Sequence, residues 1–269
     1  MKSLVSLLAL SLAACGSVNP VNERGSHPTI VSLNPCTDAI LAEVADQDQI
    51  LAVSHYSHNP ASTSMDLDTA RQFAATGGTV EEVLALNPDV VVAGNFLPPA
   101  TRLALSDLGI RVETFGIASS LDASYERIER LSALAGHQSK GAAMIERIER
   151  ALDDTQGTGK PISVVLWQPA GIVPGETALV SELMRHTGFV SHSAARGMGQ
   201  ADYLSLEQML ADPPEMLLLA GQERSQQHPA LAMLSDTALA DFDSSLLYCG
   251  GPTVIRATER LAEIREAQS

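Results

Sequence analysis

Short apolar runs alternate with helical patterns along the sequence, and this alternation restricts the fold more than any other feature. Four runs in the first half are predicted strands, at 29–33, 50–54, 89–94 and 111–116. Helical patterns lie between or after them at 36–45, 80–87 and 98–108. Continuous apolar strands separated by helices are typical of a parallel sheet covered on both faces. The alternation resumes at 162–169, 216–221 and 245–251, which predicts a second parallel sheet.

Residues 121–154 separate the two halves and carry almost no strand signal. This segment is charged and periodic, which predicts two helices broken near Gly136 and His137. A flexible linker would be rich in Gly and Ser, so we expect this segment to be stiff. The predicted fold is therefore α/β: two Rossmann-like lobes with parallel sheets, joined by a long rigid helix. We place the lobes at 27–120 and 161–269, with the helical bridge at 121–160.

An internal repeat supports two related lobes. Residues 80–94 and 206–221 share an apolar-Glu start, a Leu-Ala pair, a Pro followed by an acid, and a strand. Both helices begin with a capping box, in which a hydroxyl residue precedes Glu or Gln by three positions. Glu81 and Glu207 lie at the second helical position, outside that box. They either complement the helix dipole or present one exposed acid per lobe to a partner.

The N-terminal stretch MKSLVSLLALSLAACGS predicts export from the cytoplasm. Its apolar run from Leu4 to Leu12 is too short to span a bilayer, which favours a signal peptide over residues 1–14. The tetrapeptide at 12–15 resembles a bacterial lipobox, which implies lipid attachment to Cys15 and a polar tether over 15–26. The alternative is an ordinary signal peptide cleaved after an Ala-x-Ala-like site. We therefore expect a periplasmic or cell-surface protein that is anchored to the membrane through lipid.

The charge and the cysteines limit the remaining functions. The chain has 17 basic and 32 acidic residues, for a formal net charge of −15. Such a surface repels phosphate backbones, so we expect no nucleic-acid partner. If Cys15 carries lipid, Cys36 and Cys249 remain in an oxidising compartment. They either form a disulfide or stay as two thiols that face a ligand.

Cys36 lies where the first predicted strand gives way to a helix. Asn34 can cap that helix, and Pro35 has the fixed φ that suits a first helical turn. The positive end of the helix dipole lowers the pKa of a thiol at this position. The position suits a nucleophile, a ligand contact or a disulfide.

Residues that directly follow the predicted strands are the candidates for binding. Two parallel α/β lobes bind ligands where the carboxyl ends of their strands face each other. The candidates are Asn34, Pro35, Cys36, His55, Tyr56, His58, Asn95, Phe96, Trp167, Gln168, Arg196, Tyr248 and Cys249.

Five of these candidates are considered individually. Tyr56 is expected to stack on the ligand, and Trp167 to face it rather than pack within its lobe. Arg196 either pairs with a carboxylate or hydroxamate group or stays solvated. His55 and His58 lack a third defined ligand, so no metal site is predicted.

Together these landmarks resemble the periplasmic binding proteins that supply ABC importers with cobalamin, ferric siderophores or haem. The matching segments are TIVSLNPCTDAIL, ILAVSHYSHNP, GGTVEEVLALNPDVVVAG, the helical bridge, and SLEQMLADPPEMLLLAG. The resemblance spans about residues 28–265 and implies a monomeric binding protein that is not an enzyme and has no cofactor of its own. It implies capture of a ferric siderophore, corrinoid or haem, and delivery to a permease dimer that contacts Glu81 and Glu207. Corrinoid clefts are rich in aromatics, whereas this chain has one Trp, four Tyr and five Phe, so a ferric siderophore or related chelate is the leading prediction.

An enzyme of a different class is the alternative. A secreted cysteine hydrolase would use Cys36 as nucleophile and His55 or His58 as base, with Asp38 nearby. The sequence has no nucleophile elbow or oxyanion-hole motif. Paired glutamates and a stiff bridge favour the binding protein.

Overall fold

The computed structural model describes residues 27–268, so the predicted signal peptide and Cys15 lie outside the described residues. The first five strands form one parallel sheet in the order β3-β2-β1-β4-β5. These strands are β1 (Ile30–Ser32), β2 (Ile50–Ser54), β3 (Ala75–Thr76), β4 (Val90–Gly94) and β5 (Arg111–Phe115).

The second half contains a four-stranded parallel sheet in the order β11-β10-β6-β8 and a short antiparallel pair, β7-β9. The strands are β6 (Ile162–Trp167), β7 (Ile172–Val173), β8 (Phe189–Ser191), β9 (Asp202–Tyr203), β10 (Met216–Leu219) and β11 (Ala238–Asp241). The prediction of an α/β fold with two parallel-sheet lobes is confirmed. We call the sheets with their flanking helices the first and second lobes.

Nine α-helices lie within residues 27–268. They are α1 (Pro35–Val44), α2 (Leu67–Ala70), α3 (Val80–Leu86), α4 (Pro99–Asp107), α5 (Leu121–Ala135), α6 (Gln138–Asp154), α7 (Leu179–His186), α8 (Leu206–Ala211) and α9 (Thr253–Glu266). None of these helices has the combined length and apolar character that a bilayer crossing requires.

The predicted helical break at Gly136 is confirmed. Gly136 has φ +80°, a left-handed conformation that ends α5 and that glycine adopts more readily than any other residue. Helix α6 follows after His137 and runs for 17 residues, or about 25 Å at the standard rise per residue.

One apolar cluster connects both lobes through α1, α5, α6 and α9, which we call the central helices. Ile30 of the first sheet and Leu218 of the second sheet belong to this same cluster. Ile128 on α5 and Ile148 on α6 are fully buried between them. The sheet faces that point away from the central helices form two smaller clusters. In the first lobe, Val31 packs under α3 and α4. In the second lobe, Val165 and Trp167 of β6 pack under α8. The lobes therefore share one core instead of packing as separate domains.

The predicted strand at 245–251 is wrong. This segment forms a 3-10 turn at Ser244–Leu246 followed by a loop, and the strand that extends the sheet is β11. Leu246 and Leu247 are buried in the cluster that connects the lobes, which explains their apolar character without a strand. The edge strand β11 alternates half-buried and exposed residues and lacks a continuous apolar run.

Candidate functional site

A cavity of about 550 Å³ lies between the two lobes. The first lobe and the bridge supply the wall formed by Asn34, Cys36, Thr37, Gly94, Phe96, residues 115–119 and Arg127. The second lobe supplies Thr177, Ala178, Leu179, Gln200, Leu247 and Tyr248. This volume falls within the usual range for small-molecule sites, and the wall is mainly apolar.

The first wall is built at the carboxyl ends of β1, β4 and β5, as the strand-end rule predicts. The Asn34 side chain caps α1 by accepting the Cys36 amide at 2.8 Å, which directs the start of the helix toward the cavity. Gly94 ends β4 directly beside it. A Cβ atom at Gly94 would come within 2.7 Å of the Asn34 amide nitrogen, so only glycine allows this close approach.

A disulfide joins Cys36 to Cys249 at the edge of the cavity, with their Cα atoms 5.0 Å apart. The sequence left open whether these cysteines form a disulfide or remain as two thiols, and the structure contains the disulfide. It links the N-terminus of α1 in the first lobe to the loop after the 3-10 turn Ser244–Leu246 in the second. A bonded Cys36 has no free thiolate, so the proposed hydrolase nucleophile is wrong.

Tyr248, next to the bridged Cys249, faces the cavity from the second lobe. Its side chain is 59% exposed, and its phenol donates a hydrogen bond to the Gln168 side-chain carbonyl. Partial burial raises the pKa of the Tyr248 phenol, so it stays protonated at neutral pH. Gln168 is itself buried and orients Tyr248 from behind, outside the cavity wall.

Two apolar side chains extend the cavity at its rim. Phe96 is 81% exposed and Ile117 is 70% exposed, and both line the cavity. Asn95 is exposed next to Phe96 but does not line it, and neither does Pro35. Exposed apolar side chains at the rim of an apolar cavity favour a ligand with a large apolar surface.

The predicted group at His55, Tyr56 and His58 forms a 3-10 turn after β2 and does not line the cavity. The His55 ring nitrogen lies 3.3 Å from the Thr76 carbonyl oxygen, and that of His58 lies 3.0 Å from the Ala70 carbonyl oxygen. Over residues 27–268, no group of three or more His, Cys, Asp or Glu is placed to hold a metal ion.

The Tyr56 ring is half exposed and lies 4.1 Å from the His55 ring, measured between centroids. β2 ends at the same edge of the sheet as β1, so Tyr56 remains a proposed contact for a ligand that extends beyond the cavity.

Asp38 is completely buried behind this turn. Its carboxylate accepts hydrogen bonds from the Ser57 hydroxyl at 2.6 Å and the Ser54 amide at 3.0 Å. The other carboxylate oxygen has no partner within the described residues. Burial raises the pKa of Asp38 to about 7, although hydrogen bonds from Ser32, Ser57 and Ser54 act in the opposite direction. Asp38 therefore anchors the 3-10 turn and titrates near neutral pH.

The expectation that Trp167 touches the ligand does not fit the structure. Trp167 is 2% exposed and packs with Leu204 and Met209 on the face of β6 that lies away from the central helices. Its indole nitrogen donates to the Leu204 carbonyl at 2.9 Å. Side chains alternate between the two faces of a strand, so Trp167 falls on the same face as Val165, within the lobe.

Arg196 is also outside the cavity wall. Its guanidinium pairs with the Asp212 carboxylate and donates to the His192 carbonyl at 2.9 Å. These contacts fix Arg196 within the second lobe, so its expected pairing with a ligand carboxylate does not fit the structure.

The cation that does reach the cavity is Arg127 on α5, which sequence reasoning missed. It is 6% exposed, lines the cavity, and donates a hydrogen bond to the Gly116 carbonyl. The sequence did contain an indication of this position. Arg127 has the helical spacing of Ser124, Ile128 and Leu131, so it falls within the buried stripe of an amphipathic helix.

Comparisons with known proteins agree with this architecture. A family model described as periplasmic binding protein matches residues 30–243. A cobalamin-binding protein of Halobacterium salinarum (strain ATCC 29341 / DSM 671 / R1) is 30% identical over 115 residues, which is 42% of this chain and 31% of the relative. The match thus spans less than a third of the relative's length.

Three solved structures resemble the chain over most of its length. The periplasmic heme-binding protein RhuT from Roseiflexus sp. RS-1, in apo form, has a TM-score of 0.71 at 20% identity, covering 90% of this chain and 100% of that one. The periplasmic heme-binding protein HutB of Vibrio cholerae has a TM-score of 0.73 at 17% identity, covering 89% and 99%. The periplasmic vitamin B12-binding protein BtuF of Vibrio cholerae has a TM-score of 0.68 at 20% identity, covering 89% and 96%.

Proposed function

Because the chain belongs to the periplasmic binding protein family, we propose that it captures a metal chelate in the interlobe cavity and delivers it to an ABC importer. Family members are solute-binding proteins and not enzymes, work with ABC permeases, and are located in the periplasm. The observation that carries the proposal is the apolar cavity between two lobes that share one core.

We place haem first among the ligands, with a corrinoid and a ferric siderophore as the other candidates. The wall offers large apolar surfaces from Phe96 and Ile117, and its apolar area exceeds its polar area. A hydroxamate or catecholate siderophore presents many polar groups that such a wall would leave without partners. The relatives whose names include heme, vitamin B12 or cobalamin support a tetrapyrrole over a siderophore.

The ligand is tested on protein purified from the periplasm of its own cells. Native mass spectrometry gives the mass of the bound molecule, and the visible absorbance spectrum distinguishes haem, corrinoid and ferric catecholate. Titration of the ligand-free protein with haemin, cyanocobalamin and a ferric siderophore gives the affinities. If none of the three binds, the proposed function is wrong.

Replacing Tyr248 with alanine is expected to weaken ligand binding by about tenfold or more, because an aromatic at the centre of a contact contributes on the order of 1–2 kcal/mol. Quenching of Trp167 fluorescence measures the affinity. Tyr203→Ala is the matched control, since Tyr203 is similarly exposed in the same lobe but does not line the cavity. Equal effects of the two substitutions would contradict a contact at Tyr248.

Delivery is proposed to use Glu81 on α3 and Glu207 on α8, which are exposed acids in the first turn of equivalent helices. The Glu207 carboxylate interacts with its own backbone amide and with Ser205, which lowers its pKa and keeps it charged. Basic residues on a permease dimer could pair with both acids, so each lobe would be held. Lipid attachment at Cys15 and a monomeric state complete the proposal.

Reversing both charges, Glu81→Arg with Glu207→Arg, is expected to reduce uptake strongly while leaving ligand affinity unchanged. Uptake is measured in cells whose single copy is the variant. Glu149→Arg with Glu259→Arg is the matched control, because it changes net charge equally at exposed sites on α6 and α9. Normal uptake by the Glu81→Arg, Glu207→Arg variant would show that these glutamates take no part in docking.

A further inference from the structure

Arg127 places a buried positive charge on an otherwise uncharged cavity wall. It is the one charged side chain among the lining residues within the described part of the chain. Only 6% of Arg127 is exposed, and its hydrogen bond goes to the carbonyl of Gly116, which also lines the cavity. A guanidinium has five N–H donors in a planar fork, so donors remain for a second partner.

No carboxylate within residues 27–268 forms an ion pair with Arg127. The nearby acid Glu113 is already shared by Arg111 and Arg130. Arg130 lies over the Phe115 ring, 4.4 Å from its centroid, and adds a second positive charge one turn along α5. Burial and the charge of Arg130 both lower the pKa of Arg127. A buried cation in these surroundings is unfavourable until an anion compensates it.

We propose that Arg127 binds an oxyanion of the ligand, a carboxylate or a phosphate, inside the cavity. This inference rests on the proposed function and specifies which chelates the site accepts: amphipathic molecules with a large apolar face and at least one anionic group. A guanidinium holds either oxyanion through two parallel hydrogen bonds, and the low dielectric of the cavity strengthens both. A chelate of the same shape without the anion would leave Arg127 uncompensated.

Two pairs of probes separate the two sources of the oxyanion. Haemin carries two propionate carboxylates, and its dimethyl ester retains the ring without their charge. Cyanocobalamin carries a phosphodiester, and dicyanocobinamide retains the corrin ring without it. We expect the wild-type protein to bind the anionic member of one pair more tightly than its partner, by about ten- to a hundredfold.

Arg127→Gln is expected to remove this preference: the affinity for the anionic probe should fall, while the affinity for the probe that lacks the anion stays nearly unchanged. Arg127→Lys should retain part of the preference, because it keeps the charge but loses the planar fork. Arg130→Gln is the matched control: it removes a neighbouring positive charge from a residue that does not line the cavity, so its effect should stay within about twofold.

The outcomes separate this inference from the proposed function. If wild type binds both members of a pair equally, or if Arg127→Gln weakens both equally, Arg127 is structural and the inference alone is overturned. If wild type binds none of the four probes, the tetrapyrrole ligand is wrong and the inference falls with it. A preference for the anion that disappears in Arg127→Gln and persists in Arg130→Gln supports it.

Discussion

The double variant Cys36→Ser with Cys249→Ser is expected to lose about 5 kcal/mol of unfolding free energy relative to the oxidised wild type. The bridge joins residues separated by 213 positions, so it restricts most of the described chain in the unfolded state. In the chain-entropy model this restriction grows with the logarithm of the loop length, and so long a loop lies near the upper end of the range. Denaturant unfolding at constant pH measures the difference.

Reduction of the wild type serves as the control, because it opens the bridge without changing the sequence. Reduction should lower the denaturant midpoint of unfolding of the wild type to that of the double variant. An oxidised wild type that unfolds at the same denaturant concentration as the double variant would show that the bridge contributes nothing. Ligand affinity should also fall, since the bridge positions Tyr248 against the cavity.

The second large effect is expected from Asp38→Asn, which should stabilise the protein at pH 8 by an amount on the order of a few kcal/mol and much less at pH 5. The pKa of Asp38 is raised to about 7 in the folded protein, compared with an ordinary value of 3.8. Between these values the folded protein holds a proton that the unfolded chain releases. Stability from this site is therefore greatest at low pH, falls as pH rises through that window, and is lost above about pH 7.

Asparagine reproduces the neutral acid without its titration. Its carbonyl can accept the hydrogen bonds from Ser57 and the Ser54 amide, while its NH₂ group occupies the position of the unpartnered oxygen. Urea midpoints at pH 5 and pH 8 measure the change, with the exposed Asp48→Asn as control. An equal effect of Asp38→Asn at both pH values would contradict a neutral-pH titration of Asp38.

The parallel strands and the helical break were predictable because local physics determines them. A strand covered on both faces needs a continuous apolar run, and a left-handed helix end favours glycine, as at Gly136. Asn34 and Tyr248 were predicted as ligand contacts and lie on the cavity wall. Rules about strand ends and helix caps need no knowledge of distant packing.

The remaining site residues depend on long-range packing. Trp167 is the last residue of its strand, but which face it occupies follows from the orientation of the sheet relative to the central helices. The apolar segment at 245–251 resembles a strand because it packs between lobes. Arg127 became a candidate only when the structure placed its side of α5 against the cavity.

The shared core has a kinetic consequence. Two lobes that bury their inner faces against the same helices, and are covalently joined beside the cavity, resist a wide hinge opening. The cavity is preorganised, so little ordering entropy is lost on capture and the bound state should be long-lived. Spontaneous dissociation from the free protein is then expected to be slow. Under the proposed delivery, the work of releasing the ligand would fall on the permease that contacts both lobes, and the residence time would then be set by that complex and not by the free protein.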